Sequence, residues 1–327
     1  MLDFKTGRTL GLLVRTAPFV LLRVAVYVGI ALAYALTIGA GAAIGLLFGK
    51  IGGNGDTGAG LGGLAGFVVA CGILYWAREY LLYLVKAAHV AVLIRLLDGQ
   101  PMPGSQSQIA FGREAVRQHF ASSSLLFGLN QSVRGALSAF NGVTLSIASW
   151  LPIPGLEALV KLIDMIIATS LSHLDQVILA QILRRESADP WATACDSVVL
   201  YAQNYKGVFK NAAFLTFIVW GLTLLILLLV AAPVAALVGL FHVQAGLWTF
   251  ALAALTAWSL KAAIIDPFAT AALLQMYDKL TAGQAPDAAW AARLESISDQ
   301  FRGLARAARS ATARSPTTSP AVQTTAR

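Results

Sequence analysis

The segment Gly221–Gly239, GLTLLILLLVAAPVAALVG, decides the fold class of this chain. It holds no charged side chain, and the apolar sequence continues on both sides from Ala212 to Phe241. A helix of roughly 20 apolar residues spans the hydrocarbon core of a bilayer. The segment therefore predicts a transmembrane helix, with Pro233 as the expected site of a kink.

The composition of the whole chain extends this prediction. Of its 327 residues, 57% are hydrophobic and only 12% are charged. Soluble domains carry about 25% charged residues, so this chain has too little polar surface to cover a water-soluble globule of its size. We therefore expect an all-α integral membrane protein. The net charge of +8 comes from basic residues beside apolar blocks and does not indicate nucleic-acid binding.

Six segments in all are long and apolar enough to be predicted as spans. The third and fourth form a hairpin with several polar side chains, and whether both arms cross fully is left open. Interfacial amphipathic helices are expected around the bundle. The predicted spans are Val24–Phe48, Gly58–Leu97, Ser124–Trp150, Leu156–Leu183, Ala212–Phe241 and Leu247–Leu274.

The basic residues predict the orientation of these spans. The three predicted outer loops, Lys50–Thr57, Leu151–Gly155 and His242–Gly246, contain a single Lys or Arg, Lys50. Cytoplasmic loops carry the excess of Lys and Arg. We therefore expect both termini in the cytoplasm and the chain in a bacterial inner membrane as a multi-pass protein.

Three parts of the chain differ in character. Residues 1–280 are expected to form the transmembrane bundle, residues 281–309 a cytoplasmic amphipathic helix, and residues 310–327 a disordered tail rich in Ser, Thr and Pro. Basic residues lie along the amphipathic helix, and they predict contact with anionic lipids of the inner leaflet. Docking on the cytoplasmic loops is the alternative. These residues are Arg302, Arg306 and Arg309.

Small residues recur at every fourth position of the first two predicted spans. Such stripes let two helix backbones approach closely within a bilayer. We expect the two spans to pack on each other, with a homodimer through the same face as the alternative. The stripes are Ala25, Gly29, Ala33, Thr37, Gly41 and Gly45, then Gly58, Gly62, Gly66 and Ala70.

Charges inside the predicted spans are the best functional clue, because each costs at least about 2.5–3.5 kcal/mol at a helix centre. Asp164 and Asp175 lie almost three helical turns apart on one side of a helix, about 16 Å along its axis. The candidate polar residues are Arg134, Lys161, Asp164, Asp175, Lys261 and Asp266. Pro267 follows Asp266 and suits a kink beside a polar cavity.

Two interpretations of these six residues stay open. In one, the three aspartates are proton or cation sites along a pathway and the basic residues are their partners. In the other, Lys161 neutralises Asp164 and Lys261 neutralises Asp266, and the charges serve the structure alone.

The motifs of enzyme chemistry are missing from the sequence. It contains no GxSxG, HExxH, Walker or CxxC motif, and its four histidines form no metal-ligand spacing. We therefore expect no enzyme activity, no catalytic residue, no cofactor and no metal ion.

Three segments resemble an uncharacterised family of bacterial and archaeal multispanning membrane proteins. They are KAAHVAVLIRLLDG (Lys86–Gly99), LPIPGLE (Leu151–Glu157) and DPWATACDSVVLYAQNYKGVFKNA (Asp189–Ala212). The region from Arg117 to Leu280 also resembles the C-terminal half of the choline transporter-like family, in the order of its polar hairpin, interfacial segment, two spans and intramembrane aspartate. This resemblance implies transport of choline or a similar organic cation. The chain lacks that family's larger number of spans and its large extracellular loop.

These observations predict a permease or channel-like transporter of a small polar or cationic solute. The alternative is a membrane scaffold or assembly factor that transports nothing and recruits partners through its small-residue faces and basic tail.

Overall fold

The computed structural model describes residues 2–103, 107–119, 128–129, 131–140, 165, 173–185, 189–240 and 247–314. These residues form helices and turns and contain no strand, so the all-α prediction is confirmed for the described part of the chain. The elements are α1 (Thr6–Arg15), α2 (Ala17–Ile51), α3 (Gly55–Leu97), α4 (Gln108–His119), α5 (131–140), α6 (173–185), α7 (Pro190–Gln203), α8 (Tyr205–Leu240), α9 (Leu247–Leu260), a π-turn (Lys261–Ile265), α10 (Asp266–Thr281), α11 (Ala288–Ile297) and α12 (Asp299–Arg314).

Four of the described helical segments are long and apolar enough to cross a membrane. They are Ala17–Ile51, Arg78–Leu97, Tyr205–Ala236 and Thr256–Thr281, and each overlaps one of the predicted spans. The predicted polar hairpin, residues 124–183, lies mostly outside the described residues. The described residues therefore contain four candidate spans, and they cover only parts of the predicted third and fourth spans.

The predicted small-residue stripes meet each other within one chain. A Cβ atom on Gly62 would overlap the carbonyl oxygen of Gly41, and one on Gly45 would overlap that of Gly58. Only glycine fits at such contacts, because the two backbones touch. The other faces of this hairpin are exposed and apolar, with Leu36 as an example. From Thr37 to Gly66 the stripes are occupied by intramolecular packing, whereas Gly29 has open space around its Cβ position. The homodimer stays a prediction.

Residues 288–314 form two helices, α11 and α12, that pack on α7. Leu294, Phe301 and Leu304 are almost fully buried there and belong to the main apolar core. The apolar side of this segment thus packs on another helix of the chain, as in the predicted alternative of docking on the cytoplasmic segments.

The arginines of α12 lie on its polar side. Arg302 pairs with Asp299, and Arg309 contacts the carboxylate of Glu295 at 2.9 Å. Arg306 is exposed. Contact between these arginines and anionic lipids stays a prediction.

The N-terminus is fixed to two helix ends by Asp3. Its carboxylate contacts the ammonium groups of Lys210 and Lys279, each at 2.9 Å, and accepts a hydrogen bond from the Asn211 amide at 2.7 Å. Donors from Asn211, Lys279 and Lys210 hold the pKa of Asp3 well below its usual range. Asp3 therefore connects the start of α8 with the end of α10.

A second bridge joins α3, α6 and α10 near the same helix ends. The Arg184 guanidinium donates to Asp98 at 3.0 and 3.1 Å and to Asp278 at 2.8 and 3.1 Å. Arg8 of α1 donates to the Leu97 carbonyl at 2.6 Å. Charged and polar contacts thus close one end of the bundle.

Candidate functional site

A polar cleft lies between α3, α5 and α6. Helix α3 contributes Glu79, Tyr83 and Lys86, whose spacings of four and three residues place them on one side of the helix. The neighbouring helices supply the facing side chains. The remaining lining residues are Leu82, Gln131, Arg134, Asp175, Gln176 and Leu179.

Two of the predicted site residues form an ion pair at this cleft. Nε and Nη2 of Arg134 donate to Oδ2 of Asp175 at 2.9 and 2.7 Å. Only 4% of Asp175 is exposed, and its other oxygen, Oδ1, is buried without a hydrogen-bond partner among the described residues. The pair therefore neutralises the aspartate but leaves one of its oxygens able to accept a further hydrogen bond.

Lys261 and Asp266 form a second ion pair. The Lys261 Nζ lies 2.7 Å from Asp266 Oδ1, and His173 Nε2 lies 3.8 Å from the same oxygen. The side chains of Lys261 and Asp266 are both mostly buried. Asp266 is thus shared between a cation from its own chain segment and an imidazole from α6.

The π-turn between α9 and α10 makes this second pair possible. In a regular α-helix, residues five apart point about 140° away from each other. A π-turn closes its hydrogen bonds over five residues, so Lys261 and Asp266 come to the same side. The sequence predicted a kink at Pro267, and the irregular turn ends two residues before it, at Ile265.

The other two predicted site residues, Lys161 and Asp164, lie outside the described residues. The structure therefore brings together Arg134 with Asp175 and Lys261 with Asp266. It provides no geometry for the predicted pair in the fourth span.

A buried arginine on α2 is not among the predicted site residues. Arg23 is 2% exposed, and none of its three guanidinium nitrogens has a hydrogen-bond partner among the described residues. Because the first span was predicted to begin at Val24, Arg23 was placed at its edge. Apolar sequence on both sides of Arg23, from Ala17 onward, was the signal that could have found it.

His89 of α3 is a second buried polar group beside Arg23. It is fully buried, and neither ring nitrogen has a hydrogen-bond partner among the described residues. Its ring stacks on Phe19 at a centroid distance of 5.1 Å. Phe19 lies one helical turn before Arg23, so this stacking holds the Arg23 side of α2 against α3.

The chemistry available here is charge and hydrogen bonding. Burial raises the pKa of the Cys195 thiol on α7 to about 12, so this thiol is not a nucleophile at neutral pH. In the described part of the chain, no three His, Cys, Asp or Glu side chains gather as metal ligands. The side chains of the cleft and of the Lys261–Asp266 pair thus provide charges and hydrogen bonds.

Comparisons with protein families, curated proteins and solved structures found no match for this chain. The resemblance to the choline transporter-like family therefore stays a prediction from the segments quoted above.

Proposed function

We propose that this chain is a multi-pass protein of a bacterial inner membrane and acts as a permease or channel-like transporter of a small polar solute. Its four long apolar helices and its basic cytoplasmic segments support this proposal. The proposed topology has six spans and two cytoplasmic termini, as the sequence predicts.

The observation that carries the proposal is the polar cleft at the inner half of α3. Charged and amide side chains from three helices line it, although such groups are costly within a bilayer unless they meet water or one another. The cleft is lined by polar side chains that neither ion pair uses, Lys86 and Gln131 among them. A solute path would use these groups.

The two ion pairs fit a transport cycle. Each aspartate lies on a different element, Asp175 on α6 and Asp266 at the start of α10. A solute that competes for one partner of either pair would change how these helices attract each other. Such differential contacts are what allow a ligand to shift a conformational equilibrium.

Flux through reconstituted protein tests the proposal. The purified chain is placed in liposomes, and uptake of choline, inorganic phosphate and glycerol is followed as cationic, anionic and neutral probes. We expect flux of at least one probe above protein-free liposomes, and at least a tenfold loss in Asp175→Asn and Asp266→Asn. Asp56→Asn, an exposed carboxylate at the start of α3, is the matched control and should keep full flux.

The alternative is a scaffold or assembly factor, and the observed pairing of the charges is an argument for it. Asp175 is paired with Arg134 and Asp266 with Lys261, so neutralisation alone would explain these four residues. Folded protein that transports none of the three probes would favour this alternative. So would variants that lose stability while the wild-type protein shows no flux.

A further inference from the structure

The ion pairs of the buried cluster leave cations in excess. Asp175 is taken by Arg134, and Asp266 is held by Lys261 with His173 close by. Oε1 of Glu79 lies 3.2 Å from Nη2 of Arg78. Apart from the Glu79–Arg78 pair, the described part of this cluster therefore contains two carboxylates and four cations. These are Asp175 and Asp266, and Arg134, Lys261, Arg23 and Lys86.

Arg23 is the first of the two excess cations. It is buried, and all five of its N–H groups go without an acceptor among the described residues. The charge of the Asp266 carboxylate acts on Arg23, but this carboxylate is already paired with Lys261. A buried charge without partners is strongly unfavourable, so this arrangement calls for an anion that is not part of the described chain.

Lys86 is the second excess cation. It lines the cleft, but it forms none of the ion pairs among the described residues. The charges of Arg23, Asp175, Asp266 and Arg134 all act on it. Lys86 thus places a positive charge at the cleft wall, close to both ion pairs and to Arg23.

His89 adds one hydrogen-bond donor on the same side. Its ring is fully buried next to Arg23, whose charge acts on it, and both ring nitrogens are without partners among the described residues. A neutral imidazole can donate one hydrogen bond and accept another. Because Phe19 stacks on His89 and Arg23 lies one turn further along α2, the unpartnered groups of Arg23 and His89 lie on the facing sides of α2 and α3.

We propose that Arg23, Lys86 and His89 bind a small oxyanion, a carboxylate or phosphate group, and that such an anion is the solute class of the transporter proposed above, on whose function this last step rests. The planar guanidinium presents paired N–H donors that match two oxygens of a carboxylate or phosphate. The Lys86 ammonium adds a point charge, and His89 adds a single N–H. A solute with one or two negative charges balances the excess.

A binding measurement on the full chain tests the site without requiring transport. The protein is purified in phosphate-free dodecyl maltoside, and binding of inorganic phosphate, glutarate and choline is measured by calorimetry. We expect phosphate or glutarate to bind and choline not to compete. Arg23→Gln and Lys86→Gln should raise the Kd at least tenfold. The exposed residues Arg15 and Lys50 provide the matched controls Arg15→Gln and Lys50→Gln, which should stay within twofold of wild type.

Thermal stability separates a binding role from a structural one. In the absence of any oxyanion, Arg23→Gln should melt at the wild-type temperature or above, because it removes a buried charge without a partner. An arginine that serves the fold alone would instead give a lower melting temperature on substitution. Arg23→Lys keeps the charge and loses the paired donors, so it should fold and bind at least fivefold more weakly; wild-type affinity in this variant would overturn the proposal.

A comparison of two lipids in the binding assay identifies the source of the oxyanion. Dioctanoyl phosphatidylglycerol is compared with the zwitterionic dioctanoyl phosphatidylcholine in the same assay. Binding of the anionic lipid alone, if it depends on Arg23, would support the site and identify a lipid phosphate as its ligand, so that the solute assignment fails. Oxyanion binding without flux would overturn the transport proposal and leave the site intact. Binding that is equal in wild type and Arg23→Gln would overturn the site, whatever the flux assay shows.

Discussion

The two halves of α3 pack in different ways. The first half, around Gly58 and Gly62, meets α2 backbone to backbone, while its other faces are exposed and apolar. The second half, Arg78–Leu97, is two-thirds buried and carries Tyr83, Lys86 and His89 toward neighbouring helices. One continuous helix thus combines an apolar seam, where close backbone packing holds α2 and α3 together, with a polar centre, where ion pairs connect the neighbouring helices.

This difference indicates which part of the molecule can respond to a solute. Helices that touch through glycines gain their contact from close packing, and no polar ligand can compete for it. Helices held by Arg134–Asp175 and Lys261–Asp266 depend on groups that a polar ligand can also bind. Changes in either half should therefore have distinct consequences.

The largest effect is expected from breaking the polar centre. Asp266→Asn leaves Lys261 mostly buried without its carboxylate, and loss of one partner of a buried pair costs about 3–5 kcal/mol. Unfolding in detergent measures this as a lower free energy of unfolding. The double variant Lys261→Gln/Asp266→Asn should recover part of the loss, since it removes the stranded charge. An unchanged stability in the single variant would mean that the polar centre is not held by charge.

A somewhat smaller effect is expected at the seam. Gly62→Ala forces α2 and α3 apart, because the new methyl group meets the Gly41 carbonyl. Overpacking of this kind costs about 1–3 kcal/mol. Gly60→Ala is the matched control on the same helix, with open space around its Cβ position. It should be neutral or stabilise by up to about 1 kcal/mol through helix propensity, and equal losses in the two variants would contradict backbone contact.

The Arg184 ion pairs at the end of the bundle test whether an ion pair contributes as much to stability near solvent as in the interior. Arg184→Gln removes contacts to both Asp98 and Asp278, but all three side chains are partly exposed. We expect a loss of about 1 kcal/mol, as for ion pairs that water can screen. The loss should shrink in high salt, whereas that of Asp266→Asn should not. Equal salt dependence in the two variants would remove the distinction between interior and end.

The smallest effect is expected at Asp3, and it depends on pH. Its pKa is lowered in the folded protein, so the ionised form contributes stability above the ordinary value of 3.8 and loses it as the pH falls toward the folded pKa. Asp3→Asn should cost less than about 1 kcal/mol at neutral pH. Melting curves should show this difference shrinking below pH 3.8, and a difference that grows on acidification would contradict the pairing with Lys210 and Lys279.

The sequence predicted what depends on local pattern. Long apolar stretches gave helices α2 and α8, and the four-residue spacing of small residues gave the contact between Gly41 and Gly62. Lys261 and Asp266 were predicted as partners because they are only five positions apart, although the π-turn that brings them to one side was not predicted. Each of these features needs only residues that lie close in sequence or repeat along one helix.

The surroundings of Arg23 and Lys86 could not be predicted in the same way. Arg23 lies at the edge of a predicted span, where basic residues usually reach solvent or headgroups, whereas Lys86 lies within the second predicted span. Their surroundings depend on how α2, α3 and α10 meet, which involves residues far apart in the chain. The packing of α12 on α7 depends on tertiary contacts in the same manner, so an amphipathic pattern alone left its partner open.

The π-turn at Lys261–Ile265 holds one residue more than a regular helix needs. Deleting Ala263 would convert the segment into an unbroken α-helix, with the lysine and the aspartate four positions apart, the usual spacing of an ion pair on a helix. The surplus residue is thus dispensable for the ion pair itself. What it adds is a point of bending, so that α9 and α10 can follow different axes on the two sides of the buried charges.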